Sequence, residues 1–150
     1  MKTNALVAFG LALVVLSTGC VSAQHKLSST AWGPPSDRAV RTAQAEKHPV
    51  VIAFDADWCM QTHNAKNYFD SREGRRLLAS TGARAFRVDC TAATPECKDL
   101  MKHYGAKTIP SYVVIRPGTS EPTLLDGGEL TPDSLRDALA MSHKPSDRRE

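Results

Sequence analysis

The stretch Phe54-Asp55-Ala56-Asp57-Trp58-Cys59-Met60-Gln61-Thr62 carries a strand into a helix and places a cysteine at the junction. Just upstream, Val50-Val51-Ile52-Ala53-Phe54 is a continuous apolar run of strand length, the pattern of a central strand buried on both faces. The helix is expected to begin after Trp58. The unpaired N–H groups and positive dipole end of that helix then face the Cys59 sulfur, which favours thiolate over thiol. Thr62 stands one helical turn beyond, where its hydroxyl could donate to the sulfur.

Residues 1–23 read as a signal segment. Lys2 supplies the positive start, and Ala5 to Leu16 is apolar apart from Gly10, too short to span a bilayer comfortably and suited to a secretory h-region. Val21-Ser22-Ala23 offers an ordinary cleavage site that would leave Gln24 first. Leu16-Ser17-Thr18-Gly19-Cys20 resembles a bacterial lipobox, with Ser17 where Leu is usual, and would make Cys20 the lipidated first residue. The lipobox is the preferred reading, because it gives Cys20 a purpose. Ordinary secretion is the other. Either way the expected location is periplasmic, with membrane contact only through a lipid anchor.

The formal net charge is +3, and residues 1–23 hold one lysine and no acid, so the remainder is near neutral. Without a basic stripe, nucleic acid is not an expected partner. Residues 24–35 read as a linker ending in Gly33-Pro34-Pro35, with Trp32 able to dock. Residues 36–142 read as one domain, and 143–150 as a charged tail.

Within the domain, Ser36 caps a helix to about Lys47, and Pro49 ends it. Asp70-Ser71-Arg72-Glu73 has capping-box spacing and starts a further short helix with Leu77 and Leu78. Ala85 to Val88 is a strand ending at Asp89-Cys90. Thr94 or Pro95 opens a helix stopped by Gly105. Ser111 to Ile115 and Thr123 to Leu125 are strands, and Thr131-Pro132 opens the last helix. The order α-β-α-β-α-β-β-α predicts an α/β fold whose mixed central sheet carries helices on both faces.

This order, with Ala56-Asp57-Trp58-Cys59, the Asp70-Ser71 turn, Asp89 and Thr108-Ile109-Pro110-Ser111, resembles the thioredoxin superfamily. The nearest likeness is to the periplasmic thioredoxin-like domain of transmembrane thiol:disulfide interchange proteins. The resemblance implies a cis Pro110 against the Cys59 sulfur and an Ile109 backbone free to pair with a bound peptide; Trp58 and Ile109 would bind substrate. It also exposes two departures. The second cysteine of the family's C-x-x-C is Thr62, and the buried acid six residues before the nucleophile is Ala53. Asp55 and Asp57 are not given its role.

Cys59, Cys90 and Cys97 lie in the domain. An odd count in an oxidising compartment leaves one sulfur over. Joining Cys90 to Cys97 would close eight residues and contribute about 2.5 kcal/mol. That pair reads either as a structural staple or as a route by which Cys90 resolves a mixed disulfide on Cys59. Cys59 alone can attack a disulfide but needs a second thiol to finish. The preferred reading is a one-cysteine oxidoreductase or isomerase of protein disulfides and thiols, fed by a small thiol or a membrane electron donor and needing no cofactor. The alternative is a redox-inactive binding module, holding a peptide beside Pro110 or copper(I) through Cys59, Met60 and His63.

Overall fold

The computed structural model describes residues 32–119 and 121–140. The signal segment with Cys20, residues 24–31 of the linker and the charged tail lie outside the described residues. Nine elements follow in order: α1 (Asp37–Ala45), β1 (Val50–Asp55), α2 (Met60–Asp70), α3 (Arg72–Thr81), β2 (Arg84–Asp89), α4 (Pro95–Tyr104), β3 (Ser111–Ile115), β4 (Thr123–Asp126) and α5 (Pro132–Leu139).

β1 is buried at all six positions. It sits inside a sheet ordered β2-β1-β3-β4, parallel to β2 and antiparallel to β3, with β4 antiparallel to β3. The twofold alternation of a strand splits its side chains between two cores. Val51 and Ala53 join Ala65, Phe69, Leu78, Leu135 and Leu139 under α2, α3 and α5. Val50, Ile52 and Phe54 join Val40, Ala43, Cys97 and Tyr104 under α1 and α4. The expected mixed sheet with helices on both faces is therefore the fold. No helix among the described residues is long and apolar enough to cross a membrane.

The helix ends follow local chemistry. Ser36, Thr94 and Thr131 each accept a backbone N–H at their helix start, and Pro95 and Pro132 occupy first-turn positions where a missing N–H costs nothing. Two boundaries differ from expectation. α1 stops at Ala45 because Lys47 turns left-handed, with φ 60°. The cap of α3 is Ser71, whose Oγ accepts from Gly74 N–H, while Asp70 closes α2.

Asp55, on the strand face opposite Phe54, is buried, 3 % exposed. It lies two residues beyond Ala53 on the same strand face, and its Oδ2 is 2.5 Å from Arg87 Nε. The guanidinium rests on the Trp32 ring, 4.8 Å from its centroid, and Trp32 meets Phe69 edge-on at 5.0 Å. Arg87 N–H donates to Gly33 O at 3.0 Å, so the linker's end is seated on β2. Burial raises the Asp55 carboxyl above its usual range, against the pull of Arg87.

Arg87→Met should leave that carboxylate without its counter-charge. The expected loss is about 2 kcal/mol at pH 7, between the values for exposed and fully buried pairs. A raised folded-state pKa means that Asp55 stabilises most below the unfolded value of about 3.9, and less as pH rises through the folded value. Removing Arg87 raises the folded value further. The deficit, measured by denaturant unfolding, should therefore shrink as pH falls toward about 3.5.

Candidate active site around Cys59

β1 ends at Asp55, and two exposed residues, Asp57 and Trp58, lead into α2. Cys59 is the N-cap of α2, with φ −99° and ψ 120°, and its side chain makes no capping bond. The sulfur thus stands at the positive end of the helix. Cys59 is 7 % exposed, whereas its neighbours Trp58 and Met60 are 64 % and 73 % exposed. Cys59 is thus buried between two exposed, large apolar neighbours in the chain.

Two oxygens face the sulfur: Gln61 Oε1 at 3.1 Å and Ile109 O at 3.9 Å. A thiol has one proton for two acceptors. The Gln61 amide can also turn to present its NH2 to a thiolate, so it serves either charge state. The expectation for Thr62 is corrected here. Thr62 is fully buried on the stripe with Ala65 and Phe69 that faces the sheet, and its Oγ1 accepts from Ala56 N–H at 3.4 Å. It braces the end of β1 and makes no hydrogen bond to the sulfur. The longer side chain of Gln61, on the exposed side of the first turn, reaches back to the sulfur instead.

The Ile109–Pro110 bond is cis, and Pro110 is buried. Thr108 Oγ1 donates to Asp126 Oδ1 at 2.8 Å, and Ser111 Oγ donates to Thr108 O. Gly127 packs so closely that a Cβ there would stand 2.5 Å from Pro110 Cγ. The close approach requires glycine, which the sequence reading missed because the contact joins separate segments. The loop presents the Ile109 carbonyl to the sulfur, and among the described residues nothing hydrogen-bonds the Ile109 N–H.

Cys90 and Cys97 are joined, with Cα atoms 5.5 Å apart, and both are buried. Cys59 is the one free cysteine among the described residues. Bonded to Cys97, Cys90 has no thiol to offer Cys59. The Cys59, Met60 and His63 set is not gathered. His63 Nε2 lies 3.0 Å from Asp57 O, Met60 projects into solvent, and the sulfur turns inward to Gln61 and Ile109.

A family described as thioredoxin-like matches residues 31–117. The chain belongs to that family. The thiol:disulfide interchange protein DsbD of Neisseria meningitidis is 38 % identical over 78 residues, which are 51 % of this chain and 13 % of that protein. The chain thus spans a small part of the curated relative that it matches. The solved C-terminal domain of Neisseria meningitidis DsbD, in its oxidised form, is 29 % identical with a TM-score of 0.50, covering 70 % of this chain and 94 % of that one. A thioredoxin-like protein of Edwardsiella tarda, at 24 % identity and TM-score 0.54, covers 74 % of this chain and all of that one, and supports the fold.

Gln61→Glu would set a fixed negative charge beside the sulfur and oppose a thiolate. Alkylation of Cys59 at pH 7 should slow by about tenfold. Gln61→Ala should change it less. Peptide-resolved mass spectrometry of the alkylated protein measures both.

Proposed function

We propose that this protein is an extracytoplasmic thiol–disulfide oxidoreductase or isomerase that works through the single cysteine Cys59. The observation that carries the reading is a free cysteine at the start of α2, facing the Ile109-Pro110 loop, with buried Thr62 where a second thiol would stand. The name of the Neisseria relative, a thiol:disulfide interchange protein, supports the reaction class.

In the first half-reaction the Cys59 thiolate attacks one sulfur of a substrate disulfide. A Cys59–substrate disulfide forms, the substrate's own S–S bond breaks, and the departing thiolate takes a proton from water. A second thiolate must then attack the mixed disulfide and release Cys59. A second cysteine of the substrate gives isomerisation. A small thiol or a thiol-bearing membrane electron donor gives net reduction. Trp58 and Met60 offer exposed apolar surface to a polypeptide beside Cys59, and the Ile109 N–H can pair with an extended substrate backbone. Residues 1–23 would direct export, and lipid on Cys20 would hold residues 36–142 at the periplasmic membrane face. Intact mass of the exported protein tests this: an unacylated chain starting at Gln24 would leave ordinary secretion in place of the anchor.

Without a resolving thiol, the wild-type protein should accumulate mixed disulfides with its substrates, identifiable by mass spectrometry after acid quenching. Cys59→Ser should remove both the adducts and disulfide exchange. Thr62→Cys should add dithiol reductase activity, incompletely, because Ala53 supplies no proton acceptor. If Cys59→Ser keeps exchange activity, the enzyme reading falls and a peptide-binding module takes its place.

A further inference from the structure

The loop after β2 is fastened to the two residues that precede Cys59. Thr91 is the shared point. Its N–H and its hydroxyl both donate to Asp89 Oδ1, at 2.9 and 2.6 Å. With its one proton given to Asp89, the hydroxyl oxygen can only accept from other groups, and Asp57 N–H donates to it at 3.0 Å. The Thr91 carbonyl accepts from Trp58 Nε1 at 3.2 Å. One residue earlier, Cys90 N–H donates to Asp55 O at 2.7 Å. Asp55 at the end of β1, and Asp57 and Trp58 in the turn before Cys59, are thus held by Cys90 and Thr91.

The far end of this loop is closed by the disulfide. Cys90 is fully buried, Cys97 is 2 % exposed, and both pack with Phe54, Val88 and Tyr104. Thr94 caps α4 by accepting from Cys97 N–H at 3.3 Å. Between the two sulfurs, residues 91–96 are exposed. The loop is short and solvent-facing, and Thr91 is held by its own hydrogen bonds to Asp89, Asp57 and Trp58 together with the ties at the loop's two ends, not by packing of its own.

We propose that Thr91 is a positioning residue for Cys59, and that the Cys90–Cys97 disulfide makes this positioning depend on the redox state of a second, buried pair of sulfurs. The inference rests on Cys59 being the nucleophile. Reduction by a dithiol breaks the Cys90–Cys97 bond. Two electrons and two protons pass to the pair, giving two thiols, and the dithiol closes to its own disulfide. The loop then loses its covalent tie to α4. Thr91 loses its fixed place, and Asp57 N–H and the Trp58 indole lose their common anchor. Cys59 is not consumed in this step. Its reactivity is changed through the two residues that set the start of α2.

The test uses the purified full-length protein with the disulfide intact. Oxidised glutathione is the probe, and mixed-disulfide formation at Cys59 is read peptide by peptide by mass spectrometry. Thr91→Val keeps the shape and removes the hydroxyl. Its Cys59 rate should fall about fivefold, because the hydroxyl's bonds to Asp89 and Asp57 are both lost. Thr91→Ser should restore the wild-type rate. Wild-type protein pre-reduced with dithiothreitol, then freed of it, should show a fall of similar size. Trp58 emission, read in a Trp32→Phe background, should shift in Thr91→Val and on reduction but not in Thr91→Ser. Unchanged Cys59 rate and Trp58 emission in Thr91→Val would overturn the positioning role. A fall in Thr91→Val with no effect of reduction would overturn the redox dependence. If Thr91→Val does not fold, the reduced and oxidised wild-type proteins decide by the same two readouts. If wild-type Cys59 fails to react with any disulfide, the proposed function falls, while Trp58 emission still reports on the clamp.

Discussion

The whole arrangement depends on the complete burial of β1. A strand that is paired on both edges and covered on both faces has no free surface except at its ends. Its hydrogen bonds to β2 and β3 are shielded from water, and its alternating side chains feed two separate cores. The carboxyl end of such a strand is where the chain can first leave the sheet. Here it leaves into a two-residue exposed turn and then into α2. A helix start set at the end of a rigid strand gives Cys59 a fixed position and a positive dipole end together.

Polar groups near that strand end are arranged in layers. Asp55 and Arg87 lie beneath it, paired and covered by Trp32. Thr62 and the Ala56 N–H brace it from the α2 side. Thr91 and Asp89 hold the exposed turn from the β2 side, and two hydrogen bonds from Thr91 hold the Asp89 carboxyl below its usual range. Tyr112 carries the opposite consequence of depth: burial, reinforced by the Asp55 charge, raises its hydroxyl well above the ordinary value. The sulfur is left with a flexible amide and a backbone carbonyl as its polar neighbours. The surroundings of this one sulfur are thus fixed on three sides.

Thr62 and Ala53 each bear on more than their own positions. In place of a thiol, the turn of α2 below Cys59 buries a hydroxyl that serves the strand end. The acid missing at Ala53 has a buried counterpart two residues along the same strand face, at Asp55, already engaged by Arg87. Among the described residues, the turn of α2 below Cys59 offers a buried hydroxyl, and the nearby Asp55 carboxyl is already paired with Arg87.

Much of this was legible in the amino-acid order alone. The apolar run at Val50 to Phe54, the caps at Ser36, Thr94 and Thr131, the prolines at 95 and 132 and the glycine at 105 act over a few residues, so their spacing carries the elements and their order. The position of Cys59 at a strand–helix junction, and the absence of a cysteine at 62, are equally local. Tertiary structure alone decided which atoms meet. The β1–β2 register pairs Arg87 with Ala53, so that Asp55, two residues on along the same face, meets it diagonally. The seating of α2 turns Thr62 to the sheet and leaves Gln61 over the sulfur. The packing of Gly127 on Pro110, and of the Thr91 loop on Trp58, joins residues separated by 17 and 33 positions. Such contacts depend on distances between elements that approach only when both cores close, and no short-range pattern in a chain encodes them.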